Sequence, residues 1–327
     1  MRVLVCVLDW GLGHATRCIP IISALLAEGH EVRIASSGRA RALLQQNFPA
    51  LPVIQLPAYG IRYWFGNMYL NMVLQVPRIA WVAAAEYFDI RKLVRKHRLD
   101  LLISDSRFGC FHSAVKSIFI THQLHLQLKP AFLSKMVNAL HRWFIRRYAE
   151  CWVPDYEDEG KSLAGALAHP PSMAHVRYIG PLSCMQPMQL SPTYDLVALL
   201  SGPEPQRTRF EQEFIRQAMQ LEAKVLIIRG IPEASGEQQL SANVTMVNHL
   251  YGTALNEALA SARLIVCRSG YSSIMDLALL DRPALLVPTP GQTEQEYLAR
   301  YLCGKEIFIF QTQRELDLKK ALKTQMI

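Results

Sequence analysis

Short, nearly continuous apolar runs recur along this chain, and between them lie longer segments with helical spacing. Strand-like runs occur at 3–8, 31–36, 53–56, 101–104, 118–121 and 151–153, with helical patterns at 16–27, 39–46, within 69–96, and at 134–148. A second series has strands at 196–200, 225–228, 244–247, 264–267, 284–287 and 307–310, with helices at 207–221, 254–262, 273–280, 294–302 and 314–322. Strands apolar along their whole length, alternating with helices, are buried on both faces of a parallel sheet. Their crossovers are right-handed, which winds each series doubly around its sheet. The two series are separated by Leu182–Pro192, which has Pro187 and Pro192 inside it, Pro181 beside it, and few charges. The pattern therefore predicts an α/β chain of two domains, residues 1–181 and 194–327, joined by a linker at 182–193. A length of 327 residues fits two such cores better than one.

Composition narrows the classes of partner. The most apolar long segment, Asn67 to Phe88, is broken by Gln75, Pro77 and Arg78, so no spanning helix is expected. The run at 3–8 is too short and too β-branched for a signal peptide. Seven cysteines are scattered, odd in number and never in a C-x-x-C pair, which points to reduced thiols in a cytoplasm rather than to disulfides or zinc. Residues 1–150 hold 19 Lys and Arg against eight Asp and Glu, whereas the rest hold 16 against 19, so the net charge of +8 resides in the N-terminal half. Such a field favours anionic partners.

The richest motif is Arg268-Ser269-Gly270-Tyr271-Ser272-Ser273-Ile274-Met275-Asp276, followed by a strand ending at Pro288 and then Gln295-Glu296-Tyr297. A strand ends at Arg268, small residues turn, and a helix opens near Ser272, where free N–H groups and the positive dipole end suit a phosphate. Asp276, one turn inside, suits the two hydroxyls of a ribose. In doubly wound sheets ligands lie beyond the carboxyl ends of the strands. Taken singly, each residue also fits a plain helix cap or a solvated helix position; the functional reading rests on the whole set at its spacing.

That set resembles the donor-binding region of family 28 glycosyltransferases, typified by the enzyme that adds N-acetylglucosamine to the peptidoglycan lipid intermediate. The resemblance implies the GT-B fold, two Rossmann-like domains facing a cleft, with a UDP-sugar as donor substrate and no metal or other cofactor. It places ribose on Asp276 and sugar hydroxyls on Gln295 and Glu296, with Arg268, Ser269, Gly270 and Ser272 around the nucleotide and Val247 also on the donor side. Asp276 and Glu296 stand where the family has Glu and Gln. The family's glycine-rich turn corresponds to Ser201-Gly202-Pro203-Glu204-Pro205-Gln206-Arg207, which keeps one glycine and adds Arg207, a side chain suited to a diphosphate. Because both glycine-rich turns are altered, the chain does not resemble the peptidoglycan enzyme itself.

The first strand runs into Asp9-Trp10-Gly11-Leu12-Gly13-His14-Ala15-Thr16-Arg17. Gly11 and Gly13 permit a tight turn, and His14 arrives at a helix N-terminus, where its cationic form is disfavoured. In the resembled family this turn lies near the diphosphate and the acceptor. Natural-product transferases of the same fold pair a histidine after strand one with an aspartate after a later strand, and His14 with Asp105 is similar to that pair. Asp105 would orient and stabilise the imidazole while His14 takes the acceptor's proton. A capping histidine and a strand-end turn aspartate are the plain alternatives.

Other features point less sharply. No Asp-x-Asp triplet occurs, and Asp155 to Glu159 reads as a solvated acidic run. His122 and His125, three apart, lack a carboxylate companion. Lys129, Lys135, Arg142, Trp143, Phe144, Arg146 and Arg147 form a basic-aromatic stretch suited either to an anionic membrane surface or to ordinary solvation. Localisation in the cytoplasm, with peripheral attachment to the inner face of the membrane, follows from the first option. Tyr59–Asn71 is an aromatic-rich acceptor-loop candidate. Three rivals remain. An NADP-dependent oxidoreductase would use Gly11-x-Gly13 and Ser36-Ser37-Gly38-Arg39, though Thr16 stands where a third glycine belongs. A sugar-nucleotide 2-epimerase would share the fold. A basic membrane- or nucleic-acid-binding protein would need no catalysis, and no nucleic-acid motif is evident.

Overall fold

In the computed structural model the alternation is realised twice, in the compact units Met1–Cys184 and Met185–Ile327. The structure describes all residues except 62–67, 128–130, 171–172, 174, 232–235, 306 and 325–327, and describes the backbone alone at 68–73, 131 and 133. Most of the Tyr59–Asn71 stretch, and Lys129, therefore lie outside the described residues.

The first unit contains, in chain order, β1 (Arg2–Val7), α1 (Leu12–Ala27), β2 (Glu31–Ser36), α2 (Gly38–Asn47), β3 (Val53–Gln55), α3 (Met68–His97), β4 (Leu101–Asp105), β5 (Lys116–Ile120), α4 (Ala131–Ile145), β6 (Glu150–Val153) and β7 (Val176–Tyr178). Its sheet runs β3-β2-β1-β4-β5-β6-β7, parallel throughout. Alternate strand residues serve opposite faces. Val3, Val5 and Val7 pack with Ala15, Cys18, Ile22 and Leu25 of α1 and with Leu44 of α2. Leu4, Cys6 and Leu102 pack with Ile90 and Val94 of α3. The i, i+3, i+4, i+7 spacing of the buried α1 residues is why that segment is a helix on this face. Each buried Val, Leu or Ile side chain contributes about 1.5–3 kcal/mol.

The second unit contains β8 (Tyr194–Leu199), α5 (Gln206–Ala218), β9 (Val225–Ile228), β10 (Glu237–Ser241), β11 (Val244–Val247), α6 (Gly252–Ala260), β12 (Ala262–Cys267), α7 (Tyr271–Leu280), β13 (Ala284–Leu286), α8 (Thr293–Leu302), β14 (Phe308–Phe310) and α9 (Leu318–Thr324). The sheet order is β10-β11-β9-β8-β12-β13-β14, parallel except for the β10–β11 hairpin. In each sheet the chain starts centrally, winds one way and then returns to the other side. The reversal falls between β1 and β4 in the first unit and between β8 and β12 in the second, and these switch points are where doubly wound folds place ligands.

Local differences from the sequence pattern have local causes. The expected helix over 314–322 is divided: Leu316 is extended, and α9 starts after Asp317, whose carboxylate accepts from the Lys320 N–H at 2.8 Å. Asp155, read as part of a solvated run, is buried, because its carboxylate accepts from Tyr156 N, Leu163 N, Ala164 N and Ser162 Oγ at 2.7–3.0 Å and so organises the following turn. Its neighbours Glu157, Asp158 and Glu159 are exposed. The proline-containing stretch after Cys184 is bound to the second unit through two bonds between Gln186 and Asn256, at 2.9 and 3.0 Å.

Candidate active site

At the first switch point, Gly11 precedes α1 with φ 90° and ψ 165°, a conformation essentially restricted to glycine. That turn brings His14 to the third position of the helix. Val7 is the register partner of Asp105, so the ends of β1 and β4 lie side by side. His14 Nδ1 is 2.9 Å from Asp105 Oδ2. Arg17, one helical turn after His14 and on the same face, donates through Nε to Asp105 Oδ1 at 3.0 Å and through Nη2 to the same oxygen. The same Nη2 lies 3.2 Å from Ser106 Oγ and 2.9 Å from His14 Nδ1, and Nη1 is 3.5 Å from His122 Nδ1. Asp105 and Arg17 are buried, whereas the His14 side chain is 20% exposed.

Counting hydrogens favours one tautomer. Nη2 of Arg17 carries two hydrogens and has three candidate acceptors. If His14 Nδ1 carries a proton, it donates to Asp105 Oδ2, and Arg17 serves Asp105 Oδ1 and Ser106 Oγ, so every group is satisfied. If Nδ1 were bare, Asp105 Oδ2 would face a lone pair in a dry site. The arrangement therefore favours Nδ1–H and leaves Nε2 as the ring's acceptor. Ser106 holds its place in the left-handed region, φ 56°, and its hydroxyl donates to Ile120 O at 3.2 Å. Burial would raise the Asp105 carboxyl, but Arg17 and then His14 override it and hold it at about 2. The His14 pKa is lowered, first by burial and next by Arg17, with Asp105 opposing. Burial and Arg17 thus favour a neutral imidazole alongside the helix-end effect expected from sequence.

A second buried network lies nearby. Arg107, wholly buried, pairs with Glu86 Oε1 at 2.6 Å and donates to Val7 O, Pro57 O and Ser37 Oγ. Glu86 also accepts from Tyr59 Oη at 3.0 Å and from Gly109 N at 3.1 Å. Ser36 Oγ donates to Val7 O, and both Ser36 and Ser37 are buried. The two hydroxyls that would have met a 2′-phosphate are thus engaged inside the protein.

In the second unit, α7 begins at Tyr271 after Gly270, which is extended. Ser269 Oγ donates to Gln295 O at 2.8 Å, and Gln295 Oε1 accepts from Thr289 N at 2.9 Å. Glu296 Oε1 accepts from Gly291 N at 3.1 Å. These bonds draw the loop after β13 and the first turn of α8 to the end of β12. Arg268 is buried: Nη1 donates to Val287 O and Pro288 O, Nη2 donates to Gln206 O and Gln313 Oε1, and the guanidinium covers the Phe210 ring at 4.2 Å. Burial lowers its pKa to about 10. Its Nε and the Thr289 hydroxyl are buried without a hydrogen-bond partner. Both flank Gly202, φ 111°, where an added Cβ would lie 3.9 Å from Arg268 Nε and 3.6 Å from Thr289 Oγ1. Ser201 and Gly202 are exposed. Asp276, half-buried, sits close enough to the end of β12 for its charge to act on Cys267, whose pKa burial and then Asp276 raise to about 12.

Nine of the eleven donor-side residues, Ser201, Gly202, Arg268, Ser269, Gly270, Ser272, Asp276, Gln295 and Glu296, thus belong to the segments after β8, β12 and β13. The other two are engaged elsewhere. Arg207 is held by Glu204 and Glu211, both at 2.7 Å. Glu211 also pairs with Arg229 at 2.7 Å. Val247 is buried at the end of β11, and its carbonyl accepts from Arg229 N at 3.0 Å. The sequence reading gave no role to Arg17 or Thr289. Arg17 was signalled by its i, i+3 spacing from His14; Thr289 gave no signal beyond following a strand end.

Residues 205–326 match the glycosyltransferase family 28 C-terminal domain, and residues 1–124 match glycosyl transferase family 1. This chain is a glycosyltransferase of the GT-B fold. An uncharacterized glycosyltransferase of Methanopyrus kandleri is 22% identical over 327 residues, covering 95% of this chain and 89% of that protein. The spinosyn rhamnosyltransferase SpnG, solved with thymidine diphosphate, shares the fold with a TM-score of 0.63 at 13% identity, covering 100% of this chain and 89% of the other. The UDP-N-acetylglucosamine transferase acting on N-acetylmuramyl-(pentapeptide) pyrophosphoryl-undecaprenol in Methylorubrum extorquens is 51% identical, but over 41 residues, 12% of this chain and 11% of that one. Close sequence identity to that enzyme is confined to a segment, and this glycosyltransferase is not the peptidoglycan enzyme itself.

Proposed function

We propose that this glycosyltransferase moves a hexose, read as N-acetylglucosamine, from a UDP-sugar to a hydroxyl of a cell-envelope or lipid-linked acceptor, with inversion and without a metal. The observation that carries the chemistry is the His14–Asp105–Arg17 arrangement. Nε2 of His14 takes the proton of the acceptor hydroxyl as its oxygen bonds to the anomeric carbon. The bond from that carbon to the diphosphate oxygen breaks, and UDP departs with the electron pair. Asp105 stabilises the imidazolium so formed, which raises the rate only because its charge is already in place. On the donor side, the N–H groups at the start of α7 and the Gly202 turn suit the diphosphate, Asp276 the ribose, and Gln295 and Glu296 the sugar hydroxyls. A lipid-linked acceptor would bring the enzyme to the inner face of the membrane.

The test is UDP release from a panel of UDP-hexoses in the presence of envelope lipid extract. His14→Ala should lower it about 10²- to 10⁴-fold. Undiminished release would remove His14 from the reaction. Release that needs no acceptor would instead favour the epimerase.

A further inference from the structure

A wholly buried arginine that no step of the reaction uses stands two residues beyond Asp105. Arg107 donates through Nε to Val7 O at 2.8 Å and through Nη2 to Ser37 Oγ at 2.6 Å. Its Nη1 donates to Glu86 Oε1 at 2.6 Å and to Pro57 O at 3.1 Å. Nη2 also lies 3.7 Å from Asp9 Oδ1, which faces the Tyr59 N–H at 3.4 Å. One guanidinium thus reaches the exits of β1, β2 and β3 and the side of α3, while its own backbone leaves β4. Its carbonyl is fixed in turn by Ser104 Oγ at 2.6 Å and Tyr148 Oη at 2.8 Å. Only a rigid fork of N–H groups can serve acceptors spread so widely. Dry ion pairs are often no more stabilising than apolar packing of the same volume, so what this one adds is fixed geometry.

That geometry governs the approach of His14 to Asp105. Val7 is the register partner of Asp105, and the chain runs from Val7 through Asp9, Trp10 and Gly11 into α1. Asp105 grips this exit from the α1 side, through His14 and Arg17. Arg107 grips it from the α3 side, through Val7 O and Glu86. The two side chains diverge because Ser106 between them is left-handed, φ 56°, which breaks the extended course that would set both on one face. Three elements bear on the His14 ring. Burial and Arg17 of α1 disfavour its protonated form, Asp105 after β4 favours it, and His122 after β5 disfavours it. Of these groups only Asp105 supports the imidazolium, so its placement decides how readily the ring takes a proton.

We infer that Arg107 is a positioning residue for the transfer: with Glu86 it ties the exits of β1 and β4 together from the side opposite His14, and so holds Asp105 where it orients and supports the ring. The inference rests on the proposed role of His14 as base, and its test separates the two by a readout that needs no turnover. The His14 imidazole, identified in the NMR spectrum of isotope-labelled full-length protein by its loss in His14→Gln, is titrated in wild type, Arg107→Lys and Glu86→Gln. It should bind its proton about tenfold more weakly in Arg107→Lys, and less weakly in Glu86→Gln, where an amide oxygen still faces Arg107. The acid limb of kcat/KM should move down with it. The rate should fall roughly 10²-fold in Arg107→Lys, the cost of a reacting group misplaced by about 1 Å, with KM for the UDP-sugar unchanged. A His14 titration equal to wild type in folded Arg107→Lys would overturn the inference whatever the rate does, since Arg107 would then serve the fold alone. If Arg107→Lys does not fold, Ser37→Ala, which removes only an acceptor of Nη2, takes its place under the same criterion. Weaker proton binding with undiminished turnover would uphold the tie between Arg107 and Asp105 and overturn His14 as base instead.

Discussion

The two units share a sheet order at their centres yet finish their switch points in opposite ways. After β1 and β4 the first unit buries a charge-compensated set, in which Asp105 is held ionised by Arg17 and turned toward His14. After β8 and β12 the second unit also buries an arginine, Arg268, but gives it only carbonyl and amide oxygens, leaving its Nε and the Thr289 hydroxyl unpaired beside a glycine. The first arrangement suits proton transfer, because an ionised carboxylate stands ready for a developing imidazolium. The second suits an anion, because it gathers donors with no acid to neutralise them. Fold sets where the strand ends meet; three or four side chains decide what the meeting place can do.

The contrast predicts unequal costs. Arg17→Met leaves Asp105 buried without a counter-charge and should cost about 3–5 kcal/mol in urea unfolding. Arg268→Met strands neutral carbonyls instead of a charge, and should cost about 1–3 kcal/mol. Equal losses would erase the distinction between the two switch points.

Acid should act on the first unit. The Asp105 carboxyl is lowered from 3.8 to about 2, so its contribution to stability is full above 3.8 and is lost as pH falls through about 2. A shift of that size corresponds to about 2 kcal/mol. The lowered His14 pKa works in the same sense: below 6.5 the unfolded chain binds the proton first, so stability declines with acid. With His14 as the proposed base its neutral form is the active one, and the acid limb of kcat/KM should lie below 6.5. Removing the Arg17 charge should move that limb upward. A limb unmoved in a folded Arg17→Lys/Arg17→Met pair would mean that Arg17 does not act on His14.

The smallest effect on stability belongs to Gly202→Ala. At φ 111° the new side chain is strained, costing about 1–2 kcal/mol. It would also stand over Thr289 Oγ1 and Arg268 Nε. Stabilisation by UDP in a thermal-shift assay should therefore vanish while the fold persists.

Much of this architecture could be read from the chain. β1, β4, β8 and β12 each carry a continuous apolar run, Val3–Val7, Leu101–Ile103, Leu196–Leu199 and Leu264–Cys267, as strands buried on both faces do. β7 and β10 were missed because one is three residues long and the other is a polar, exposed hairpin strand, so neither carries a period. The motif around Arg268 was visible as a block because its residues are near in sequence. The second partner of Asp105 was harder to see. Arg17 lies 88 residues away, and only the register of β1 on β4 brings the two together. Arg107 and Glu86 form a buried pair for the same topological reason, and Asp155 looked solvated because the four groups it serves lie in a turn with no sequence signature.

The division of labour between the units can be measured without knowing the acceptor, by titrating UDP calorimetrically into wild type, His14→Ala and Asp276→Ala. The account predicts that His14→Ala binds UDP within about threefold of wild type, whereas Asp276→Ala loses at least about tenfold, the worth of one charged hydrogen bond. UDP that binds Asp276→Ala as tightly as wild type, or binds none of the three, would contradict it.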